Sequence, residues 1–324
     1  MVKIRNVGIN HGDCFFIEIE NDADRCIIMV DGRKGDRESF NEISEVILEY
    51  KRIDYLIVTH IDNDHIKGIL KVFRLPETDL FRQAFRNSII LYNYVTKPII
   101  SYAQAQEFEK LIQNNIVIST VKKCYGMYSS PCLKILSVTK RKELDPWEQK
   151  GYGEYAVLTI LHPRKEGIED VYKDFIIHPD KSSNKTVNKN SVVFLLEYGE
   201  HAALFTGDCF MKDLVEEIDQ LKNMKSEKGF RKIDLIKIPH HGAYYNNKEL
   251  AEFAKRHGTR EFIVTGPKDW NKKHPSEKVL KELDEIADDT NRIVIHTHVG
   301  LSMWSERELK HTIIDKNDSL EWSR

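Results

Sequence analysis

The sequence predicts a mixed α/β or α+β fold in which helices are layered against β-sheets. Apolar residues alternate, or run in short blocks rich in β-branched and aromatic residues, which is typical of strands. Amphipathic stretches with helical spacing lie between several of these blocks. The predicted strands cover residues 15–19, 26–30, 55–58, 157–161, 192–196, 202–205, 235–238, 262–264 and 293–295, and the predicted helices cover residues 40–50, 66–73, 104–112, 211–224, 248–256 and 276–286.

Composition is that of an ordinary globular protein. The chain has 324 residues, of which 41% are hydrophobic and 31% charged. This length and this hydrophobic content are sufficient to form a large core. The longest apolar runs have the length of a strand and fall well short of the roughly 20 residues of a membrane-spanning helix. The first residues lack the apolar region of a signal peptide and are expected to form a strand. We therefore expect neither a membrane span nor export.

Cysteine count and net charge narrow the functional classes. The five cysteines are an odd number without a Cys-x-x-Cys pair, which argues against a disulfide framework and a thiolate zinc site, so a cytoplasmic location is expected. A formal net charge of -2 gives no overall attraction to nucleic acid or to an anionic membrane. A polyanionic substrate would need local charge. The candidates are Lys181, Lys185, Lys189 and the stretch 222–232, and the alternative for both is a solvated loop.

Domain organisation is predicted to be simple. No internal repeat and no linker rich in Pro, Gly or Ser divides the sequence, so residues 1–324 are expected to form a single domain. The most polar and least periodic section, 164–190, is interpreted as a long surface loop. Long loops in compact domains are often lids or binding loops.

The segment VTHIDNDHIKG at 58–68 carries the strongest local signal for chemistry. Four possible metal ligands lie between a predicted strand and a predicted helix, and they are His60, Asp62, Asp64 and His65. Carboxylates so close together repel one another and take up protons unless a cation compensates them. A bound metal explains this cluster. The alternative is a polar turn in which an aspartate caps the helix and the histidines are incidental.

Two further segments place similar side chains at strand ends. In LFTGDC, Asp208 follows an apolar strand, and Gly207 before it allows a close approach of the backbone. In KIPHHGAYYN, His240 and His241 follow the predicted strand at 235–238. Each segment alone is a weak signal, because a buried aspartate can cap a helix and a histidine pair can form ordinary hydrogen bonds. Three such strand ends in one chain favour a shared metal site.

The order of these motifs resembles the metallo-β-lactamase superfamily. That order is T-H-x-D-x-D-H-x-x-G, then T-G-D, then P-H-H-G, then H-P-S. The variety it resembles most is the ComEC-like, competence-type metallohydrolase domain, whose motifs are similar to VGINHGDCFFIEI, CIIMVDGR, KNSVVFLLEYGEHAALFTGDC and KKHPSEKVLKEL in this chain. The resemblance extends from about residue 7 to residue 300. It implies a four-layer αββα sandwich with a dinuclear metal site, in which the poorly matching residues 75–150 are a family-specific insertion.

The resemblance also implies two sets of ligands for divalent ions. The superfamily's commoner motif has histidine at the position of Asp62, and a hard carboxylate there lets manganese compete with zinc. The implied ligands are His60 and Asp62 for the first ion, Asp64, His65 and His240 for the second, and Asp208 as a bridge between the two.

One ligand position departs from the superfamily pattern. A further ligand histidine is usual before the T-G-D motif, and this chain has Asn190 and Ser191 near that position. His162, in TILHPR, is the obvious substitute, and its alternative role is that of a structural histidine at a strand end. Asp31, in MVDGR, resembles an aspartate that supports the site by orienting a ligand imidazole.

The reaction that the resemblance implies is hydrolysis. Two divalent ions, zinc or manganese, would share a water and lower its pKa from about 16 toward about 7, so that hydroxide is available at neutral pH. Asp64 would orient this hydroxide. His241 and His274 are candidates to donate a proton to the leaving group, and their alternative role is structural hydrogen bonding.

The expected substrate is a phosphodiester of nucleic acid or of a nucleotide, because the ComEC-like resemblance implies nuclease chemistry and the lysine-bearing loop could contact phosphates. Two alternatives stay open: a lactone, thioester or β-lactam hydrolase on the same scaffold, and a metal-binding module without turnover that assembles with a protein partner. The oligomeric state is not predicted.

Aromatic residues in the segment 75–150 could stack bases or pack in a core or interface, and they are Tyr92, Tyr94, Tyr102, Tyr125, Tyr128 and Trp147.

Overall fold

A computed structural model describes residues 1–7, 12–21, 24–76, 78–92, 103–113, 120–123, 135–137, 142–144, 156–177, 184–225, 230–266, 274–298, 309–316 and 319–323. Within these ranges the chain forms two large β-sheets and a set of helices. The predicted mixed α/β fold is therefore confirmed.

The helices and strands alternate along most of the chain. In chain order they are β1 (Val2–Asn6), β2 (Phe15–Asn21), β3 (Asp24–Val30), α1 (Arg37–Tyr50), β4 (Tyr55–Val58), α2 (Asn63–Arg74), α3 (Leu80–Gln83), β5 (Ile89–Tyr92), α4 (Ala103–Gln113), β6 (Thr120–Lys123), β7 (Ile135–Ser137), β8 (Lys142–Leu144), β9 (Val157–His162), α5 (Lys165–Ile177), α6 (Asn184–Lys189), β10 (Val193–Tyr198), β11 (His201–Phe205), α7 (Met211–Lys225), β12 (Leu235–Lys237), α8 (Leu250–His257), β13 (Glu261–Ile263), α9 (Glu277–Glu285), β14 (Ile293–His296), β15 (Thr312–Asp315) and β16 (Ser319–Trp322).

Both sheets combine an antiparallel part with a parallel part. The first sheet has the order β16-β1-β2-β3-β4-β5-β6, and its strands run parallel from β3 to β6. The second sheet has the order β15-β14-β13-β12-β11-β10-β9-β7-β8, and its strands run parallel from β11 to β15. Parallel strands need crossover connections, which α1, α2, α4, α7, α8 and α9 provide along the chain.

Alternation of side chains along the strands divides the interior into three cores. In β2, Phe15 and Ile17 lie in the core between the sheets, where Phe15 packs edge-on against Phe205 of β11 with 5.5 Å between ring centroids. Phe16 points to the opposite face, into a core shared with α1, α2 and α4. On the second sheet, Leu195 faces a third core shared with α7, α8 and α9. The layers are therefore helices, sheet, sheet and helices, the four-layer αββα sandwich that the resemblance implied.

Segment 164–190 differs from the prediction of a long loop. Helix α5 occupies residues Lys165–Ile177 and helix α6 occupies Asn184–Lys189. Ile168, Val171 and Phe175 recur at helical spacing in α5, and Ile168 is buried. This apolar stripe is narrow and lies among many charged residues, which is why the segment was wrongly interpreted as irregular.

Residues 75–150 contribute to both sheets where they are described. Strands β5 and β6 extend the first sheet, and β7 and β8 extend the second. Tyr92 is buried and packs against Phe108 with 5.3 Å between ring centroids, so its role there is packing. The other aromatic residues named above for this segment, and Lys181, lie outside the described residues. That the segment is a family-specific insertion stays a prediction.

Two short strands near the end of the chain were not predicted. In β16, Trp322 pairs with Val2 of β1, and β15 pairs with β14. Their four-residue sequences carry too little periodicity to be recognised alone. None of the helices in the described ranges combines the length and the apolar character that a membrane crossing requires.

The segments that leave β4, β11 and β12 meet at one rim of the sandwich. The backbone N–H of Val192 donates to the carbonyl of Thr59 over 2.7 Å, which ties the segment after β4 to the start of β10. His240 N–H donates to Gly207 O over 3.2 Å, which ties the segment after β12 to the segment after β11. The three strand ends singled out in the sequence are therefore neighbours in space.

Candidate metal centre

Four histidines surround the carboxylate of Asp208, and we call these five residues the central cluster. The Nε2 atoms of His60, His65, His240 and His241 lie 3.8, 3.5, 3.6 and 3.9 Å from the nearer oxygen of Asp208. Asp208 and three of the imidazoles are buried, whereas the side chain of His240 is 30% exposed. The cluster is thus accessible to solvent on the side of His240.

The first two histidines are oriented by partners on Nδ1. Asp31 Oδ2 lies 2.8 Å from His65 Nδ1, and the same carboxylate accepts hydrogen bonds from the backbone N–H and the hydroxyl of Thr59. His60 Nδ1 lies 3.1 Å from Thr59 Oγ1 and 3.3 Å from Ser191 Oγ. A hydrogen-bond partner on one ring nitrogen fixes the tautomer and directs the other nitrogen toward a ligand. Asp31 thus has the geometry of the supporting aspartate that the resemblance suggested.

The second two histidines are adjacent in the sequence yet both reach the cluster. His240 and His241 have positive φ angles of 46° and 52°, in the left-handed region that non-glycine residues rarely adopt. His241 Nδ1 lies 2.8 Å from Thr265 Oγ1, and His240 Nδ1 lies 3.1 Å from Asn246 Oδ1. This unusual turn allows two neighbouring side chains to present Nε2 to one carboxylate.

Several atoms of the central cluster lack hydrogen bonds within the described residues, and they fit a divalent cation. Within the described part of the chain, His60 Nε2, His65 Nε2 and Asp208 Oδ1 are buried and have no hydrogen-bond partner. An orphaned buried polar atom is costly and needs an explanation. His60, His65 and Asp208 offer ligand atoms that lie within 4.8 Å of one another, and so do Asp64, His65 and His241. Imidazole and carboxylate ligands suit zinc or manganese.

The distances within the cluster are those of ligands around an ion. At 3.5 Å or more, the Nε2 and carboxylate atoms are too far apart for good hydrogen bonds. Two ligand atoms each about 2.0–2.2 Å from one ion in tetrahedral geometry lie about 3.3–3.6 Å apart. The arrangement therefore has approximately the spacing that a shared cation requires.

Two further carboxylates flank the cluster and differ in charge. Asp62 Oδ2 lies 4.0 Å from His60 Nε2, and its burial, together with the carboxylates of Asp64 and Asp208, raises the pKa of Asp62 to about 7. Asp64 Oδ2 lies 3.3 Å from His241 Nε2. Burial would raise the pKa of Asp64, but His65 and His241 outweigh it and hold that pKa well below the usual range. Without a cation, the flanking carboxyl group of Asp62 is thus partly protonated near neutral pH, whereas that of Asp64 is ionised.

The protonation of the imidazoles follows the same electrostatics. Burial and the neighbouring His65 lower the pKa of His60 to about 3, so its ring is neutral at neutral pH and keeps a lone pair on one nitrogen. Burial would also lower the pKa of His241, but Asp208, Asp13 and Asp64 raise it to about 9. In the absence of a cation, protons on such imidazoles balance the carboxylates.

The ligand grouping differs from the one that the resemblance implied. His241, not His240, lies with Asp64 and His65 in one potential metal-binding group. His240 approaches Asp208 Oδ2, the same oxygen that His60 approaches. The unusual backbone of the P-H-H-G turn causes this difference, because it directs the second histidine of the pair toward α2.

His162 lies away from the central cluster, with a partner on each ring nitrogen. Its Nδ1 is 3.0 Å from Glu217 Oε1, and its Nε2 is 2.9 Å from the carbonyl of Lys189. Arg164 Nε donates to the same Glu217 oxygen over 3.3 Å. We call His162, Glu217 and Arg164 the lateral cluster. Because both nitrogens of His162 are occupied by chain atoms, the suggestion that His162 replaces the missing ligand is wrong.

Ser191 and His274, two further positions considered in the sequence, both lie next to the central cluster. Ser191, near the position where a ligand histidine was expected, accepts a hydrogen bond from the backbone N–H of Asp208 over 3.1 Å, so it holds the backbone of Asp208 in place. His274 is partly exposed, and its ring lies 5.7 Å from the ring of His240. His274 is therefore at the outer side of the cluster.

A buried ion pair beside the cluster was not found by sequence reasoning. Lys237 Nζ lies 2.5 Å from Asp13 Oδ2 and 3.6 Å from Asp208 Oδ1, and it donates to Gly207 O over 2.8 Å. Asp13 also accepts a hydrogen bond of 2.6 Å from Thr265 Oγ1. Lysine is almost never fully buried unless it is paired. Lys237 inside the apolar strand LIKI was the available signal.

Two glycines allow the backbones around the cluster to approach closely. Gly207 has a φ of 50°, and a Cβ there would lie 2.9 Å from Ser191 Cβ. Gly12 has a φ of 119°, and a Cβ there would lie 2.0 Å from the carbonyl oxygen of Asp64. Any larger residue at position 12 would displace the first turn of α2, which carries Asp64 and His65, and this agrees with the use of glycine where two backbones meet.

Comparison with known proteins gives structural matches alone. No protein-family model and no curated protein matches the sequence. The chain is similar to a mutant of the CmlA β-hydroxylase, with 15% identity over 81% of this chain and 45% of that chain and a TM-score of 0.41. It is similar to a long-form RNase Z from yeast, with 11% identity over 84% of this chain and 38% of that chain and a TM-score of 0.40.

A third match is to a subclass B3 metallo-β-lactamase isolated from a soil metagenome library, with 12% identity over 78% of this chain and 92% of that chain and a TM-score of 0.35. The chain spans less than half the length of the first two structures that it matches. These matched structures are members of the metallo-β-lactamase superfamily.

Proposed function

We propose that this chain is a metal-dependent hydrolase with a dinuclear site, and that it cleaves phosphodiester bonds of nucleic acid or of nucleotides. The observation that carries the proposal is the convergence of four imidazole Nε2 atoms on Asp208, at 3.5 to 3.9 Å. Three of these buried atoms, His60 Nε2, His65 Nε2 and Asp208 Oδ1, have no hydrogen-bond partner within the described residues. A purely structural cluster would leave such atoms unsatisfied at a cost of about 1–3 kcal/mol each.

The ligands divide into two groups that share Asp208. One ion would be held by His60, Asp62 and His240, which lie on the side of Asp208 Oδ2. The other would be held by Asp64, His65 and His241, whose ligand atoms lie within 4.8 Å of one another. In this assignment His240 takes the place of the superfamily histidine that is replaced near Ser191.

Divalent ions at this position would supply Lewis acidity, which acidifies water and neutralises negative charge on a substrate. Asp64 is ionised at neutral pH and can accept a hydrogen bond from an attacking water. Lys237 holds a positive charge 3.6 Å from Asp208 and offsets part of the carboxylate charge. His274, whose ring lies 5.7 Å from that of His240, would donate a proton to the leaving group.

The phosphodiester substrate rests on the similarity of the motifs to ComEC-like domains. The lactone, thioester and β-lactam substrates of the alternative hydrolase carry little or no negative charge, so their turnover should depend weakly on salt. Binding of a nucleic acid should weaken steeply with salt, because each phosphate contact releases counterions. A cytoplasmic location and a protein partner stay predictions.

Metal analysis combined with a substrate panel tests the proposal. Purified protein is loaded with Zn²⁺ or Mn²⁺, freed of excess metal, analysed by inductively coupled plasma mass spectrometry and assayed on bis(p-nitrophenyl) phosphate, single-stranded DNA and RNA, nitrocefin, a lactone and a thioester. We expect about two ions per chain and hydrolysis of phosphodiesters that a chelator stops. Turnover of neutral esters alone would favour the alternative hydrolase. Bound metal without turnover of any substrate would favour a binding module.

Single histidine substitutions test how the ligands are divided. His240→Gln and His241→Gln should each lower the metal content to about one ion per chain, because each removes one ligand from a different group. His274→Gln is the matched control and should keep the full metal content, since its ring lies outside both groups. Full occupancy in either of the first two variants would contradict the assignment.

A further inference from the structure

An exposed tyrosine flanked by two lysines lies beside the central cluster. Tyr245 is 55% exposed, and its ring rests edge-on against Phe210 with 5.6 Å between centroids. The ammonium groups of Lys248 and Lys185 lie 4.9 and 5.8 Å from the centroid of the Tyr245 ring. We call Tyr245, Lys185 and Lys248 the rim patch.

The rim patch is held by residues that also shape the metal centre. Tyr245 precedes Asn246, which is buried, contacts His240 Nδ1 and donates to the carbonyl of Asp208 over 2.8 Å. Lys185 lies on α6, where Asn188 is 3.5 Å from His240 Nε2. Phe210 follows Asp208 by two residues in the sequence. The patch therefore keeps a fixed position relative to the central cluster, on its accessible side.

Packing alone does not explain the rim patch. A large aromatic ring that is more than half exposed contributes little hydrophobic burial to the stability of the fold. Each lysine–ring contact at an exposed site stabilises the fold by only about 0.5–1 kcal/mol. Both lysines are exposed, and two like charges near one ring repel each other. Tyr244, the preceding residue, provides a contrast, because it is partly buried, donates to Glu282, and its neighbour Lys278 pairs with the same carboxylate.

We infer that Tyr245, Lys185 and Lys248 form a subsite that binds single-stranded nucleic acid next to the metal centre. One base stacks on the exposed face of Tyr245, and the adjoining phosphates contact the two ammonium groups. The inference rests on the proposed phosphodiesterase function, whose substrate it narrows to a single strand.

The chemistry of the patch matches one nucleotide unit. An aromatic platform attracts a flat base of any sequence, and flanking lysines attract the phosphates on either side. In a duplex the bases are stacked on one another and cannot reach a side-chain platform unless they are flipped out. A stacked base in this position would also hold the neighbouring phosphodiester near the central cluster, which is the positioning that hydrolysis needs.

Binding of a short oligothymidine tests the subsite. The probe carries fluorescein and cleavage-resistant phosphorothioate linkages, and its affinity for the metal-loaded protein is measured by fluorescence anisotropy at several salt concentrations. Tyr245→Leu should weaken binding by about 5- to 100-fold, the effect of losing one stacked base. Tyr245→Phe should bind like the unchanged protein, because it keeps the ring. Lys185→Gln combined with Lys248→Gln should lower the slope of log affinity against log salt by about 1.4, the contribution of two phosphate contacts on a single strand.

Lys278→Gln is the matched control, because it also removes a lysine that lies over a tyrosine ring, 4.2 Å from the centroid of Tyr244. It should leave oligothymidine binding unchanged. Polyglutamate of similar charge, used as a competitor, should displace the probe poorly. The inference is overturned if the unchanged protein does not bind the probe, if Tyr245→Leu binds as well as Tyr245→Phe, or if polyglutamate competes as well as unlabelled oligothymidine.

Hydrolysis of bis(p-nitrophenyl) phosphate by the unchanged protein separates this inference from the proposed function. If that small diester is cleaved but the rim-patch variants bind the probe normally, the subsite is wrong and the hydrolase stands. If the small diester and nucleic acids are not cleaved while Tyr245→Leu still loses probe binding, the hydrolase is wrong and the patch is a nucleic-acid binding site without turnover.

Discussion

Buried histidine rings lie near strand ends in the central cluster and, as His162 alone, in the lateral cluster, and the two clusters differ in how the ring nitrogens are satisfied. In the central cluster, Nε2 of His60 and of His65 has no hydrogen-bond partner within the described residues. In the lateral cluster, both ring nitrogens of His162 have chain partners, at 3.0 and 2.9 Å. One carboxylate oxygen of Glu217 lacks a hydrogen bond there, but its other oxygen faces both His162 and Arg164.

The comparison shows why a histidine at the end of a strand is ambiguous in a sequence. In each cluster one imidazole nitrogen is anchored by an oxygen of the chain. What differs is the second nitrogen. In His162 it lies at hydrogen-bond distance from a backbone carbonyl, whereas in His60 and His65 it lies beside the Asp208 carboxylate at 3.5 Å or more. We therefore expect metal to bind at the nitrogen that lacks a chain partner. Substitutions in the central cluster should lower the metal content, whereas those in the lateral cluster should leave the metal content unchanged and lower the stability of the fold.

The largest effect is expected from Asp208→Asn. This change removes the charge on which the four imidazoles converge, so it should lower phosphodiester hydrolysis on the order of 10³-fold and reduce the bound metal. Metal analysis and initial rates measure both effects. Glu217→Gln is the matched control, a buried carboxylate in the lateral cluster, and should keep the metal content. Equal metal content and activity in Asp208→Asn would remove the distinction between the clusters.

Lys237→Met tests whether the chain itself balances part of the charge in the central cluster. Removing Lys237 takes away the cation closest to the buried carboxylate of Asp13 and should lower the free energy of unfolding of the metal-free protein by about 3–5 kcal/mol. Urea denaturation with a chelator present measures it. Lys281→Met, which breaks an exposed pair with Glu277, should cost about 0.5 kcal/mol or less. A similarly small effect at Lys237 would show that the chain does not rely on this ammonium for charge balance.

His162→Gln should destabilise the fold without affecting the metal. The change disturbs the contacts with Glu217 and Lys189 and should lower the free energy of unfolding by about 1–3 kcal/mol. Metal content should match that of the unchanged protein, whereas His65→Gln should lose metal. Loss of an ion in His162→Gln would reassign this histidine to the metal centre.

The smallest expected effect is the pH dependence of the difference in unfolding free energy between the unchanged protein and His162→Gln. Burial by itself would lower the pKa of His162, but Cys209 and the Glu217 carboxylate raise it to about 10. A histidine whose pKa is raised by folding stabilises the fold fully below its unfolded pKa of about 6.5 and loses this contribution as pH rises through the folded value. The stability difference between the unchanged protein and His162→Gln should thus shrink between pH 6.5 and 10. A difference that is constant over this range would show that the imidazole is not charged in the fold.

Much of the fold was predictable from local patterns. Alternation in strands such as β2, and the amphipathic helices α1, α2 and α7, come from residues close together in the chain, so short windows reveal them. Strands β15 and β16 and helix α5 were missed because their patterns are short or crowded by charge. Strand β16 forms against β1, more than 300 residues away in the chain, and no local window contains that partner.

For the candidate site, residue types at strand ends identified the segments that converge at the rim. The pairing inside the site was not predictable, because it depends on backbone angles and distant neighbours. His241 rather than His240 joins Asp64 since the P-H-H-G turn adopts left-handed angles. Asp13 and Lys237 are 224 positions apart in the sequence and become partners only where the two sheets meet.

The sequence by itself determined the layered α/β architecture and the segments that carry ligand-type side chains, because hydrophobic periodicity and motif order are properties of the chain. The tertiary structure decided which ring nitrogens are left without partners, which histidine joins which carboxylate, and that Tyr245 and two lysines lie beside them. The physical reason is that periodicity acts over a few residues, whereas hydrogen-bond satisfaction and charge balance depend on every group that folding brings within a few ångströms.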